Sequence, residues 1–120
     1  LNFLKKVYLT KDELRFLSEN NMLGSHCHNH IPLALYKDNI IKNELEKSYN
    51  FLKNSLNKFP LGVSYPYGGK SAVNNSVFSF AKSTGYKYGL TMERGINYYS
   101  NDLNPFALKR IDSNDLKSWI

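Results

Sequence analysis

Residues 60–92 read PLGVSYPYGGKSAVNNSVFSFAKSTGYKYGLTM, and the hydrophobic period changes along them. Leu61 to Tyr65 is a short apolar run following a proline, the pattern of a buried strand. Tyr67-Gly68-Gly69 is a turn with backbone freedom. Val73, Val77, Phe80 and Ala81 then recur at helical spacing, with Asn74 or Ser71 as the N-cap and Gly85 in the C-terminal capping position. Tyr86 to Met92 returns to a strand. Strand, helix and strand in this order form a crossover unit, which makes the two strands parallel.

The same alternation extends outward. Thr10 and Glu13 form a capping box, and Leu14 and Leu17 share a face, so residues 11–20 read as a short helix ending at Asn20-Asn21. Met22 to Ser25 is an extended segment entering a histidine-rich loop. Ile31 to Tyr36, with Pro32, reads as loop or helical turn. Asp38 is placed to cap a helix over 39–57. Its apolar face is Ile41, Leu45, Tyr49, Leu52 and Leu56, with Glu44, Glu46, Lys47 and Lys53 on the other sides. Pro60 is expected to stop it. Glu93 to Asn104 is polar and turn-rich, and Phe106 to Ile111 is a last strand. The fold class is α/β, a parallel sheet with crossover helices.

Composition narrows the function classes. Apolar residues make up 42% of the 120 positions and charged residues 22%, with mean hydropathy −0.48, an ordinary globular balance with no transmembrane segment. Sixteen Lys and Arg against ten Asp and Glu give a net charge of +6. The basic residues are dispersed, with adjacent pairs only at Lys5-Lys6 and Lys109-Arg110, and only three are Arg. That describes a solvated lysine-rich surface and no nucleic-acid site. The single Cys permits no internal disulfide. The first residues lack the order of a signal peptide, and a start at Leu1 suggests an excerpt of a longer protein.

Gly24-Ser25-His26-Cys27-His28-Asn29-His30 holds every histidine of the chain. It follows one strand candidate, as Pro66-Tyr67-Gly68 follows another. Parallel sheets carry their functional residues at those C-terminal strand ends. In an extended segment His26, His28 and His30 would point to one side; in a helical turn His26 and His30 would share a face without His28. Both arrangements can hold Zn²⁺ through neutral imidazole nitrogens, with a carboxylate from elsewhere completing the ligand set. Cys27, flanked by histidines on both sides, is expected to pack. His28 is open to three readings: ligand, surface group or substrate contact.

These segments resemble the NodB-type polysaccharide deacetylases (carbohydrate esterase family 4). Residues 24–30 are similar to that family's G-S-H-[ST]-x-x-H motif, and Ser64-Tyr65-Pro66-Tyr67-Gly68-Gly69 to its A-Y-P-[YF]-G motif. Residues 81–91 resemble the helix–Gly–strand that follows, and Asn104 to Ile111 the late D-P-[FY]-x-L-P-R-[IV] segment. The resemblance implies a deformed (β/α) barrel, here partial, and one domain over 1–120 that is truncated at its N-terminus. It implies removal of N- or O-acetyl groups from an acetylated polysaccharide or glycan with a divalent metal, Zn²⁺ first. His26 and His30 would be metal ligands, and Tyr67 would lend its backbone N–H to an oxyanion hole. Pro66, Tyr65 and His28 would contact substrate. Arg110 would orient the catalytic base in place of the arginine that the family's more familiar motif carries where Ser64 stands. Tyr65, Tyr67, Trp119 and the Tyr98-Tyr99 pair are aromatics that could stack on sugars. The resemblance also implies work outside the cytoplasm.

Three further departures from the pattern bear on the chemistry. Cys27 replaces the Ser or Thr after the first His. No adjacent aspartates occur, although the family's first motif supplies base and metal carboxylate from such a pair. No His follows His30 to act as general acid. The alternative is therefore a catalytically inactive deacetylase-like domain that binds metal or glycan only.

Overall fold

A computed structural model describes residue 3 and residues 7–114; Lys5-Lys6, Asp115 and Trp119 lie outside the described residues. Helix α1 (Lys11–Glu19) starts in the expected capping box: Thr10 Oγ1 accepts from the Glu13 N–H, and Glu13 accepts from the Thr10 N–H at 2.7 Å. A 3₁₀ turn covers Leu33–Leu35. Helix α2 (Asp38–Leu56), strand β1 (Gly62–Ser64), helix α3 (Asn75–Thr84) and strands β2 (Tyr88–Arg94) and β3 (Leu108–Arg110) follow.

The sheet is parallel throughout, in the order β1-β2-β3, with Val63 opposite Gly89 and Leu90 opposite Leu108. Of the extended segment before the histidines, only Ser25 pairs among the described residues, through a parallel bridge to Val63. The core lies between sheet and helices. Leu33, Ile41, Leu45, Val63, Tyr65, Val77, Ala81 and Tyr86 are each at most 2% exposed. At about 1.5–3 kcal/mol for each large aliphatic side chain buried, this cluster is the main favourable term. Gly89 has to lack a side chain, because a Cβ there would meet the Tyr65 ring and hydroxyl.

Several sequence boundaries are corrected. Helix α2 includes Asp38, and its N-cap is Lys37, which makes no side-chain capping bond. It ends within the expected span, at Leu56 with Asn57 as C-cap; what stops it is the left-handed conformation of Asn57 (φ 52°), which asparagine tolerates, and not Pro60. The second strand begins at Tyr88. Tyr86 is instead buried, its ring edge-on to Tyr49 and its hydroxyl donating to Leu45 O. Of the expected caps on α3, Asn74 is used: its Oδ1 accepts from the Val77 N–H at 3.0 Å. Gly85 closes the helix with φ 118°.

Asn74→Ala should therefore lower the unfolding free energy by about 1 kcal/mol. A urea titration should show a lower midpoint at unchanged slope. Ser71→Ala should leave the midpoint where it is.

Candidate active site

The sheet delivers two loops to one end. The Ser25 N–H donates to Gly62 O and the Ser64 N–H to Ser25 O, both at 2.9 Å. His26 and residues 65–67 therefore leave the sheet side by side at its C-terminal edge. His26 Nδ1 lies 2.6 Å from Ser64 O. A carbonyl only accepts, so Nδ1 carries a proton; in the neutral ring this leaves the lone pair on Nε2, the tautomer a metal ligand needs.

The histidine segment takes neither of the expected forms. The ladder stops at Ser25, and an irregular turn follows in which Cys27 (φ 62°) and His30 (φ 54°) are left-handed. Such residues cost about 1–2 kcal/mol each and persist where their surroundings hold them. The result brings the exposed rings of His26 and His30 together, with centroids 4.8 Å apart. The Tyr67 ring lies edge-on to His30 at 5.1 Å. Tyr67 is also left-handed (φ 59°), and its carbonyl accepts from the Gly69 N–H. Among the described residues the Tyr67 N–H donates to no group. His28 has no ring contact with the pair among the described residues and lines an open groove of about 330 Å³ together with His26, Cys27, Ser48, Phe51 and Leu52.

Glu44 was assigned to the outer side of its helix, and that is corrected. It is 2% exposed, and its carboxylate faces the histidine turn. Oε2 accepts from the backbone N–H groups of His28 (3.2 Å) and Asn29 (2.7 Å), and Oε1 accepts from Asn29 Nδ2 at 2.5 Å. Three charge-assisted bonds at about 1.5–3 kcal/mol each offset a desolvation penalty of several kcal/mol. One turn along the helix, Ser48 Oγ sits 3.0 Å from Ser25 Oγ and 3.2 Å from the Tyr86 hydroxyl. A sequence signal existed. Glu44 stands three residues from Ile41 and four from Ser48, on the flank of the buried stripe.

Other assignments also change. Tyr65 is 1% exposed and donates its hydroxyl to Phe106 O, so it is a core residue with no face for a sugar. Pro66 is fully buried, so it offers no surface to a substrate either. Arg110 Nε donates to Thr91 O at 2.6 Å, and the guanidinium also contacts Met92 Sδ. It lines a cavity with Met92, Arg94, Ile111 and Asp112 that no histidine reaches. Tyr67, Tyr98 and Tyr99 are exposed. Cys27 packs against the core as expected, and burial, with the Glu44 charge adding to it, pushes its thiol from 9.0 up to about 12.

His26 and His30 fit a divalent cation in donor chemistry, proximity and the tautomer of His26. Among the described residues no group of three His, Cys, Asp or Glu side chains is gathered to hold one.

A family model described as polysaccharide deacetylase matches residues 5–89. The chain belongs to the polysaccharide deacetylase family. It superposes on the Streptococcus pyogenes deacetylase PplD in complex with acetate with a TM-score of 0.74 and 25% identity, over 90% of this chain and 48% of that one. A Bacillus cereus polysaccharide deacetylase matches at TM-score 0.71 and 20% identity, over 86% of this chain and 32% of its own. The BpsB deacetylase domain of Bordetella bronchiseptica gives 0.71 and 18%, over 87% and 48%. The last two likenesses establish the fold, a partial (β/α) barrel of the deacetylase type. The chain thus spans about half the length of PplD and about a third of that of the Bacillus cereus protein. A search of curated proteins found no match. No helix among the described residues is long and apolar enough to cross a membrane.

The raised Cys27 thiol predicts slow chemistry. At pH 8 a thiol-specific disulfide reagent should react with the folded domain roughly tenfold or more slower than with urea-unfolded chain. Above pH 9 the unfolded thiol ionises first, so the unfolded state binds fewer protons. Stability should then fall as pH rises from about 9 toward 12. A Cys27→Ala variant should lose that part of the pH dependence.

Proposed function

We propose that this chain is part of a metal-dependent polysaccharide deacetylase that removes N- or O-acetyl groups from glycans. The observation that carries the reading is the pairing of the His26 and His30 rings at 4.8 Å, with the Tyr67 ring edge-on to His30, at the C-terminal edge of a parallel sheet. His26, with its Nδ1 proton on Ser64 O, and His30 are the proposed ligands of a divalent ion, Zn²⁺ in the first instance. A bound ion would supply Lewis-acid polarisation of the acetyl carbonyl.

The residues of the chain contribute the rest. Hydrolysis adds a water oxygen to the acetyl carbon and breaks the C–N or C–O bond, leaving acetate and a free amine or hydroxyl. The Tyr67 N–H is the proposed donor to the oxygen on which negative charge develops. The exposed Tyr67 ring and His28 are the proposed glycan contacts. Acetate bound to PplD, the product of such a reaction, supports the acetyl group as substrate.

The general base and the third metal donor are proposed to come from a strand that precedes these residues in a longer polypeptide. Ser25 pairs with β1 on one side, and the backbone groups of Gly24 and His26, which face the opposite edge, make no bond among the described residues. An added parallel strand there would end beside His26 and would make the 120 residues an N-terminally truncated domain. A domain that binds metal or glycan without turnover is the second reading. It is favoured by the lack of a carboxylate gathered beside the two histidines among the described residues.

Zinc stoichiometry of the purified chain should be substantial and should collapse in both His26→Ala and His30→Ala. Unchanged stoichiometry in either variant would remove the ligand assignment. Acetate release from N-acetylglucosamine oligomers should be slight for these 120 residues and should appear in the longer polypeptide. Zinc binding without acetate release by the longer polypeptide would establish the binding-only reading.

A further inference from the structure

We infer that Glu44 is the positioning residue of the histidine turn: with Ser48, it clamps the turn against α2 and sets the spacing of His26 and His30. The inference rests on the metal reading for its consequence, and on the geometry alone for the positioning itself.

The clamp has two points, and they bracket His26. On its N-terminal side, Ser48 Oγ holds Ser25 Oγ. On its C-terminal side, the Glu44 carboxylate collects the N–H groups of His28 and Asn29 and the Asn29 side-chain amide. Asn29 is the neighbour of His30, so both metal-facing residues adjoin a clamped one. The backbone between and beyond the clamped points is left-handed at Cys27 and His30. A turn of this kind has no helical or sheet ladder of its own to maintain it. Glu44 replaces that ladder by accepting several donors at one carboxylate, which the neutral acceptors of this turn do not do. Its burial removes water as a competing partner for the same N–H groups. Glu44 touches no imidazole by any hydrogen bond among the described residues and acts through the backbone that carries the rings.

The experiment compares the full 120-residue chain with Glu44→Gln, Asn29→Ala and Glu46→Gln. Glu46, half-exposed and 3.7 Å from Lys42, removes the same charge from the same helix without touching the turn. Without metal, histidine ¹⁵N spectra should show His26 locked with its proton on Nδ1 in the parent. Hydrogen exchange should show protected amides at His28 and Asn29. In Glu44→Gln both signatures should be lost while the Leu45 amide stays protected. Zinc affinity by chelator competition should fall roughly tenfold or more, as loss of outer support for metal ligands does. Glu46→Gln should match the parent. If Glu44→Gln fails to fold, Asn29→Ala, which deletes only the side-chain bond, should show a smaller loss of the same signals. A locked His26 and parent-like zinc affinity in the Glu44→Gln variant, or in Asn29→Ala where the first does not fold, would overturn the inference. A parent that binds no zinc yet loses its His26 tautomer in Glu44→Gln would retire the metal reading and leave the positioning role standing.

Discussion

A buried carboxylate, Glu44, with no cation partner among the described residues, is the constraint around which residues 24–30 are arranged. Glu44 can be buried only because the turn offers it backbone and side-chain N–H donors. The turn can hold two left-handed residues only because Glu44 accepts those donors. Each makes the other tolerable. Helix α2 therefore joins what is otherwise separate: the apolar core under Ile41 and Leu45, the polar contacts of Ser48 to Ser25 and Tyr86, and the exposed imidazoles at the sheet edge.

The parallel sheet supplies direction. Ser25 and β1 run the same way, so the chains leaving them emerge at one edge, and the His26 ring can donate to the carbonyl that ends β1. An antiparallel pair would send them to opposite ends. Tyr67 comes to His30 by the same route, at the cost of a left-handed backbone that a glycine would adopt more readily. Burial then separates two neighbours in sequence: Tyr65 seals the core through Phe106 O, while Tyr67, two positions later, faces outward.

Much of this was legible in the sequence, and for identifiable reasons. Caps are local, so Thr10 with Glu13, and Gly85, could be assigned from neighbouring residues alone. The span 39–57 places the end of α2, but Pro60 is the more conspicuous stop signal and the left-handed turn of Asn57 is what ends the helix. Glu44 was missed because a carboxylate beside an apolar stripe ordinarily faces water, and its donors lie fifteen and sixteen positions away along the chain. Arg110 was expected near the histidines, but the register of β3 against β2 takes its guanidinium to Thr91 O.

What the sequence determined by itself was the alternation of strand and helix, the family, and the pair of histidines four residues apart. These follow from periodicity, capping and motif, which are properties of short stretches. What only the tertiary structure decided was how that pair is held. Spacing allowed an extended or a helical turn, and the chain takes neither. The choice belongs to a carboxylate on another element, and the strength of a buried charge–amide contact depends on distance and exclusion of water rather than on separation along the chain.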